Sequence, residues 1–256
     1  MKVSSKSWDA YIANLRKMSD KAARLMQKRL DGIDFDMLDY DTRQSLIDYA
    51  YALATKYGEG AGALASEMYD ALAELSEVSV PSALPAPTAT YAEVAKAVNG
   101  TIKSRNAEIV SAAVGRQVKM VGVDTMMQNA LRDGAEWAWI PRGDTCAFCV
   151  TLASRGWQRA SKAAIKDGHA EHVHANCDCT YAVRFGHDVD VEGYDPSAYY
   201  KMYRDADGGS PKAKINAMRR EFYAENADEI NAQKRSAYAK MRARESSSAE
   251  EFNIGN

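Results

Sequence analysis

Residues Trp137–Phe185 read WAWIPRGDTCAFCVTLASRGWQRASKAAIKDGHAEHVHANCDCTYAVRF. All four cysteines of the 256-residue chain fall in this stretch, at Cys146, Cys149, Cys177 and Cys179. Three of the four histidines are there too, His169, His172 and His174, and His187 follows two residues after it. The pattern is C-x2-C, a gap, then H-x2-C-x-C. Thiolate and imidazole are the preferred ligands of Zn²⁺, and a structural zinc site takes four of them in a closed tetrahedron. Five residues compete for the four places: Cys146, Cys149, His174, Cys177 and Cys179. The first choice is Cys146, Cys149, His174 and Cys179. Cys177 stays a competitor, because residues two apart on a strand point to the same side. His169 and His172 are surface residues or tune a ligand from behind it.

The chain on either side of these ligands alternates. Trp137, Trp139 and Ile140 read as a strand leading into Pro141-Arg142-Gly143-Asp144. Cys179–Phe185 reads as a second, with Tyr181, Val183 and Phe185 on one face. Two strands flanking the ligands predict a small sheet, with Trp137, Trp139 and Trp157 packed over the metal.

Outside this module the period is that of a helix. Trp8, Tyr11, Ile12, Leu15, Leu25 and Leu30 predict one over 4–30, ended by Asp31-Gly32. A second is expected from an Asp41 N-cap, weakened in the middle by Gly58, Gly60 and Gly62, and resuming to Leu75. Pro81, Pro85 and Pro87 mark an extended segment, either a linker or a strap laid over the surface. Further helices are expected over 91–115, near Val123–Arg132 with Gly134 as its stop, over Ser197–Arg204, and over Lys212–Arg244. The fold class is therefore mainly α with a small α+β zinc-binding module and long terminal helices. The expected divisions are a helical hairpin at 1–80, a Pro-rich linker at 81–90, a helical segment at 91–134, the zinc module at 135–190, and a C-terminal helical segment and tail at 191–256.

Composition narrows the function. Net charge is −2, which gives the chain as a whole no nucleic-acid or membrane signature. No apolar run approaches the ~20 residues of a membrane span. The first residues lack the apolar stretch of a signal peptide, so synthesis in the cytoplasm is expected, where thiols stay reduced. Local charge is less even. Lys212–Arg244 holds nine basic and four acidic residues, a difference of +5. That suits a solvated helix face, or contact with DNA phosphates or an acidic partner.

Enzymatic readings find less. A thioredoxin-type use of Cys146 and Cys149 wants a βαβ unit. A zinc deaminase carries H-x-E before P-C-x-x-C, whereas His169-Ala-Glu171 here follows the cysteines and no proline directly precedes Cys146. G-x-S-x-G, H-E-x-x-H and Walker patterns are missing, and the glycines near Gly60 lack the strand and Lys of a phosphate loop. A zinc hydrolase or deaminase and a DNA-binding module using the basic C-terminal helix remain the alternatives.

The segments RGDTCAFCVTLASRGW and HANCDCTYAVRF resemble the phage minor head (minor capsid) proteins related to the Mu F protein, in the branch with C-A-F-C-x-x-L-A-S-R-G followed by H-x-x-C-D-C. The resemblance covers about 50 residues, from roughly Ala135 to Phe185. It implies a non-enzymatic virion component that acts in head morphogenesis at or near the portal vertex. Its partners would be the portal and major capsid proteins, with packaged DNA and a second copy of the chain as further candidates and no membrane contact. Carried over to this chain, the motif falls on Cys146, Cys149, His174, Cys177 and Cys179, with Pro141, Gly143, Arg155 and Gly156 shaping turns.

Overall fold

The structure, a computed structural model, describes residues 2–141, 145–162, 179–186, 190–228, 231–232 and 235. Helix α1 (Ser5–Leu30) starts where Ser4 accepts a hydrogen bond from the Ser7 N–H and stops at Asp31, with Gly32 turning the chain at φ +79°. Helix α2 (Tyr40–Leu75) is capped by Asp39, not by Asp41. The Asp39 backbone is extended, and its carboxylate accepts from the Thr42 N–H at 2.7 Å. Asp41 instead lies in the first turn, where its charge meets the positive end of the helix dipole.

The glycines of α2 do not interrupt it. A Cβ at Gly58 would lie 3.0 Å from Thr88 Cγ2, and one at Gly62 would lie 3.1 Å from Pro85 Cβ and 3.2 Å from Val121 Cγ1. The residues that cost helix propensity, roughly 1 kcal/mol each against Ala, let other backbone come close. Part of what comes close is the proline segment, which is a strap. The Asp70 carboxylate accepts from the Ala83 N–H, Thr125 Oγ1 accepts from the Ala86 N–H, and Asn129 brackets both backbone groups of Leu84. The Arg132 guanidinium donates to the carbonyls of Pro81 and Ser82.

Helices α3 (Tyr91–Ile102) and α4 (Ala107–Asp133) replace the expected 91–115 and 123–132. The break falls earlier, at Lys103–Asn106, because the Asn106 side chain caps a new helix by accepting from the Glu108 N–H. α4 then runs through Gly115 and Gly122, whose missing side chains admit Ser19 O and Leu15 Cδ2 of α1 at 3.0 Å from where a Cβ would be. Gly134 ends it in the left-handed region, as expected. α4 packs against both α1 and α2, so the three long helices share one core.

The sheet packs on this bundle. Strands β2 (Glu136–Ile140), β3 (Gln158–Arg159) and β4 (Thr180–Arg184) lie in the order β3-β2-β4, all antiparallel, with Trp137 opposite Val183 and Trp139 opposite Tyr181. A two-residue strand β1 (Lys2–Val3) pairs in parallel with β5 (Asp190–Val191). Helix α5 (Ala147–Ala153) joins β2 to β3. Helices α6 (Pro196–Asp205) and α7 (Pro211–Glu225) follow, and the break between them falls at the expected Asp207–Pro211. α7 turns at Asn226, within the helical segment expected over Lys212–Arg244; the described residues beyond it, 227–228, 231–232 and 235, are helical, and 229–230, 233–234 and 236–244 lie outside the described part. The architecture is the mainly helical one with a small antiparallel sheet. No helix among the described residues is long and apolar enough to cross a membrane.

Candidate metal centre

Two sequence-distant pieces meet at the end of β2. Cys146 is the N-cap of α5, with extended backbone (φ −73°, ψ 158°) and no side-chain cap bond. Cys149 lies three residues on, in the first turn, and is buried. Cys179 immediately precedes β4 and is also buried. The β2–β4 register explains the meeting: Ile140 faces Thr180, so Cys179 falls beside the point where the chain leaves β2 for α5. The three cysteines lie near one another and form no disulfide. His174, Cys177, His169 and His172 lie outside the described residues.

This donor set fits zinc chemically and is incomplete. Three clustered thiols suit a Zn²⁺-thiolate centre, which takes four ligands in its closed form. Among the described residues, no group of three or more His, Cys, Asp and Glu side chains is arranged to hold a metal ion by itself. The redox geometry is not met either. The connection is β2–α5–β3 with β3 antiparallel to β2, not the parallel βαβ unit of a thioredoxin-type pair.

The sequence reading missed two residues of this region. Tyr181 is wedged between the rings of Trp137 and Trp139, edge-on to each at centroid distances of 4.8 and 4.6 Å. Burial raises its phenol pKa; the negative charges of Asp124 and Cys149 add to this, and Arg155 opposes it. Asp124, half-buried on α4, is itself pushed up to about 6, first by burial and then by Glu93, against the pull of Arg116. The signal was present in the sequence: Asp124 is an acidic residue in the otherwise apolar run Val121-Gly-Val-Asp-Thr-Met-Met127.

The tryptophans divide their work. Trp137 and Trp139 are core residues that adjoin the thiol centre through Tyr181. Trp157 lies under the Arg184 guanidinium, 4.5 Å from ring centroid to Cζ, and edge-on to Tyr194. Arg184 also pairs with Glu136 at 2.8 Å and Asp190 at 3.0 Å, which locks the far end of the β2–β4 ladder. Tyr194 donates its hydroxyl to the Ala153 carbonyl and fixes the C-terminal end of α5. Gly156, with φ +65°, makes the turn out of α5. The opposite face of α5, Ala147 and Val150, is covered by Ala206 and Met218, with Tyr203, Ile215 and Phe222 around them. α5 is thus held between the main core and a small second one.

Fold and site together define a class: a helical bundle with a short antiparallel sheet, at whose edge cysteines from two chain segments converge. The chain belongs to the VG15 protein family, whose model matches residues 2–206. The match spans the bundle, the strap, the sheet and α6, and leaves α7 outside. No curated protein and no solved structure matches the chain.

Proposed function

We propose that this chain is a structural minor capsid protein of a tailed phage or prophage, acting in head morphogenesis at or near the portal vertex, with a zinc-stapled joint. The observation that carries the reading is the convergence of Cys146 and Cys149 with Cys179, the two halves of the motif that resembles the Mu F-related minor head proteins. When bound, zinc supplies a cross-link worth on the order of 10 kcal/mol in small peptides. The residues of the chain do the rest. Cys146 and Cys149 hold the start of α5, and Cys179 holds the start of β4, with His174 or Cys177 completing the set. α5 then carries α6 and α7 as a fixed unit, and the long helices offer their outer faces to portal and capsid subunits.

The test is mass spectrometry of purified particles of the encoding phage, together with head assembly after deletion of the gene. Presence in particles in few copies, and defective heads without it, support the reading. Absence from particles removes it. A zinc hydrolase is the second reading, favoured by one observation: the half-buried carboxyl of Asp124 is pushed up to about 6, chiefly by burial, a shift of the kind found in active sites. It requires a water on the metal, and substitution of Asp124 would then abolish hydrolysis without changing metal content.

A further inference from the structure

Among the described residues, two exposed helix faces of opposite charge form no ion pairs. The outer side of α7 carries Lys212, Arg219, Arg220 and Tyr223, all exposed; Lys212, Arg219 and Tyr223 are seven and four residues apart and share one face, with Arg220 beside them. Its inner stripe, Ile215, Met218 and Phe222, is committed to α5, and the Lys214 ammonium is committed to the carbonyls of Tyr203, Arg204 and Ala206. α7 is therefore anchored with its arginines outward. Among the described residues Arg219 meets only Asn216, and Arg220 meets no carboxylate.

The second face is on α2. Glu59, Ala63, Glu67, Ala71 and Glu74 follow one another at spacings of three and four, and all are exposed. Between Lys56 and Lys96 the chain holds no Lys or Arg. Arg132 of α4 reaches the strap but is held by Asp133 at 2.7 Å. Among the described residues none of these three glutamates has an ion-pair partner. Ala63 and Ala71 leave the surface between the glutamates low, so another helix can lie close along it. Leu84 on the strap, 69% exposed, and Val78, just beyond the end of α2, are exposed apolar residues.

We infer that the acidic face of α2 is a docking surface for the basic stripe of α7 from a second copy of this chain. Within one copy the two do not pair, since α7 is fixed to α5 by its other side. Between copies the contact joins unlike patches, so it is heterologous, and repetition closes a ring or grows a filament. Duplex DNA fits the molecule less well. The chain is acidic overall, with a pI of about 6.1, and α2 alone presents an acidic helix about 54 Å long to any phosphate backbone that approaches. The contact needs no virion, so its failure and the failure of the capsid reading are separate results.

The experiment is sedimentation velocity of the full chain over a range of concentrations, at about 50 mM and about 500 mM salt, since exposed charges are screened at the higher value. Concentration-dependent association at low salt, weakened at high salt, is expected. Arg219→Glu/Arg220→Glu and Glu67→Lys/Glu74→Lys should each weaken association by at least about tenfold, because like charges then face one another. Both pairs are exposed, so unchanged thermal melting confirms that the variants fold. Mixing the two variants should restore association, as should all four changes in one chain. A monomer under every condition overturns the inference, as does association that none of the reversals alters. Duplex binding lost with Arg219→Glu/Arg220→Glu, without self-association, also overturns it and gives the stripe to nucleic acid.

Discussion

Asp124→Asn should stabilise this protein at neutral pH and leave it unchanged in acid. The carboxyl of Asp124 is pushed from an ordinary 3.8 to about 6 in the folded chain, chiefly by burial on α4. A raised acid pKa means the folded state binds the proton more tightly than the unfolded state. Its contribution is therefore neutral below about pH 4, becomes unfavourable as pH rises from about 4 to about 6, and is constant above that. Two units at 1.36 kcal/mol each set a ceiling of about 3 kcal/mol. Partial exposure makes about 1–2 kcal/mol the working figure, roughly 2–8 °C in melting temperature for a chain of this size. Asparagine keeps the shape and loses the charge. The assay is urea unfolding of wild type and variant at about pH 4.5 and pH 7.5, with the difference between the two proteins compared at each pH, so that other carboxylates cancel. A gain at pH 7.5 that shrinks at pH 4.5 is expected. An equal difference at both values, or a variant less stable at pH 7.5, refutes the assignment of a buried, raised carboxyl.

Three further outcomes follow from the packing. Asn129→Ala strips the strap of both side-chain bonds to the Leu84 backbone and should cost about 2–4 kcal/mol, with faster proteolysis between Val78 and Thr90 as a local readout. Met218→Ala should cost about 2 kcal/mol or more in the second core, and cleavage near Gly208–Gly209 should accelerate while melting of the bundle changes little. Tyr69→Phe removes the hydroxyl that donates to Asp133 at 2.8 Å, and should lower stability by about 1–2 kcal/mol in thermal denaturation, since the acceptor is a carboxylate.

The sequence made the helices visible wherever one apolar face repeats, as from Trp8 to Leu30, and it made both strands visible through the alternation at Trp137 and Tyr181. It misled at glycines. Gly58 and Gly62 read as weak points, yet each lies where the strap or a neighbouring helix comes within about 3 Å of the missing Cβ, as also happens at Gly115 and Gly122, and only tertiary packing reveals that. The C-x2-C and C-x-C spacings pointed to a shared centre. Periodicity could not supply the register that places Cys179 at the exit of β2, nor could it place Tyr181 between the rings of Trp137 and Trp139. Those depend on which strands pair, a long-range fact.

The claim on which the rest depends is that one metal ion clamps the start of α5 to the start of β4. Elemental analysis of the full chain, purified without chelator, tests it most directly when wild type is compared with Cys149→Ser and Cys179→Ser. About one zinc per chain in wild type, and little or none in both variants together with a lower melting temperature, is the expected result. A wild-type chain that is folded and free of metal, with the same melting temperature before and after chelator, would contradict it.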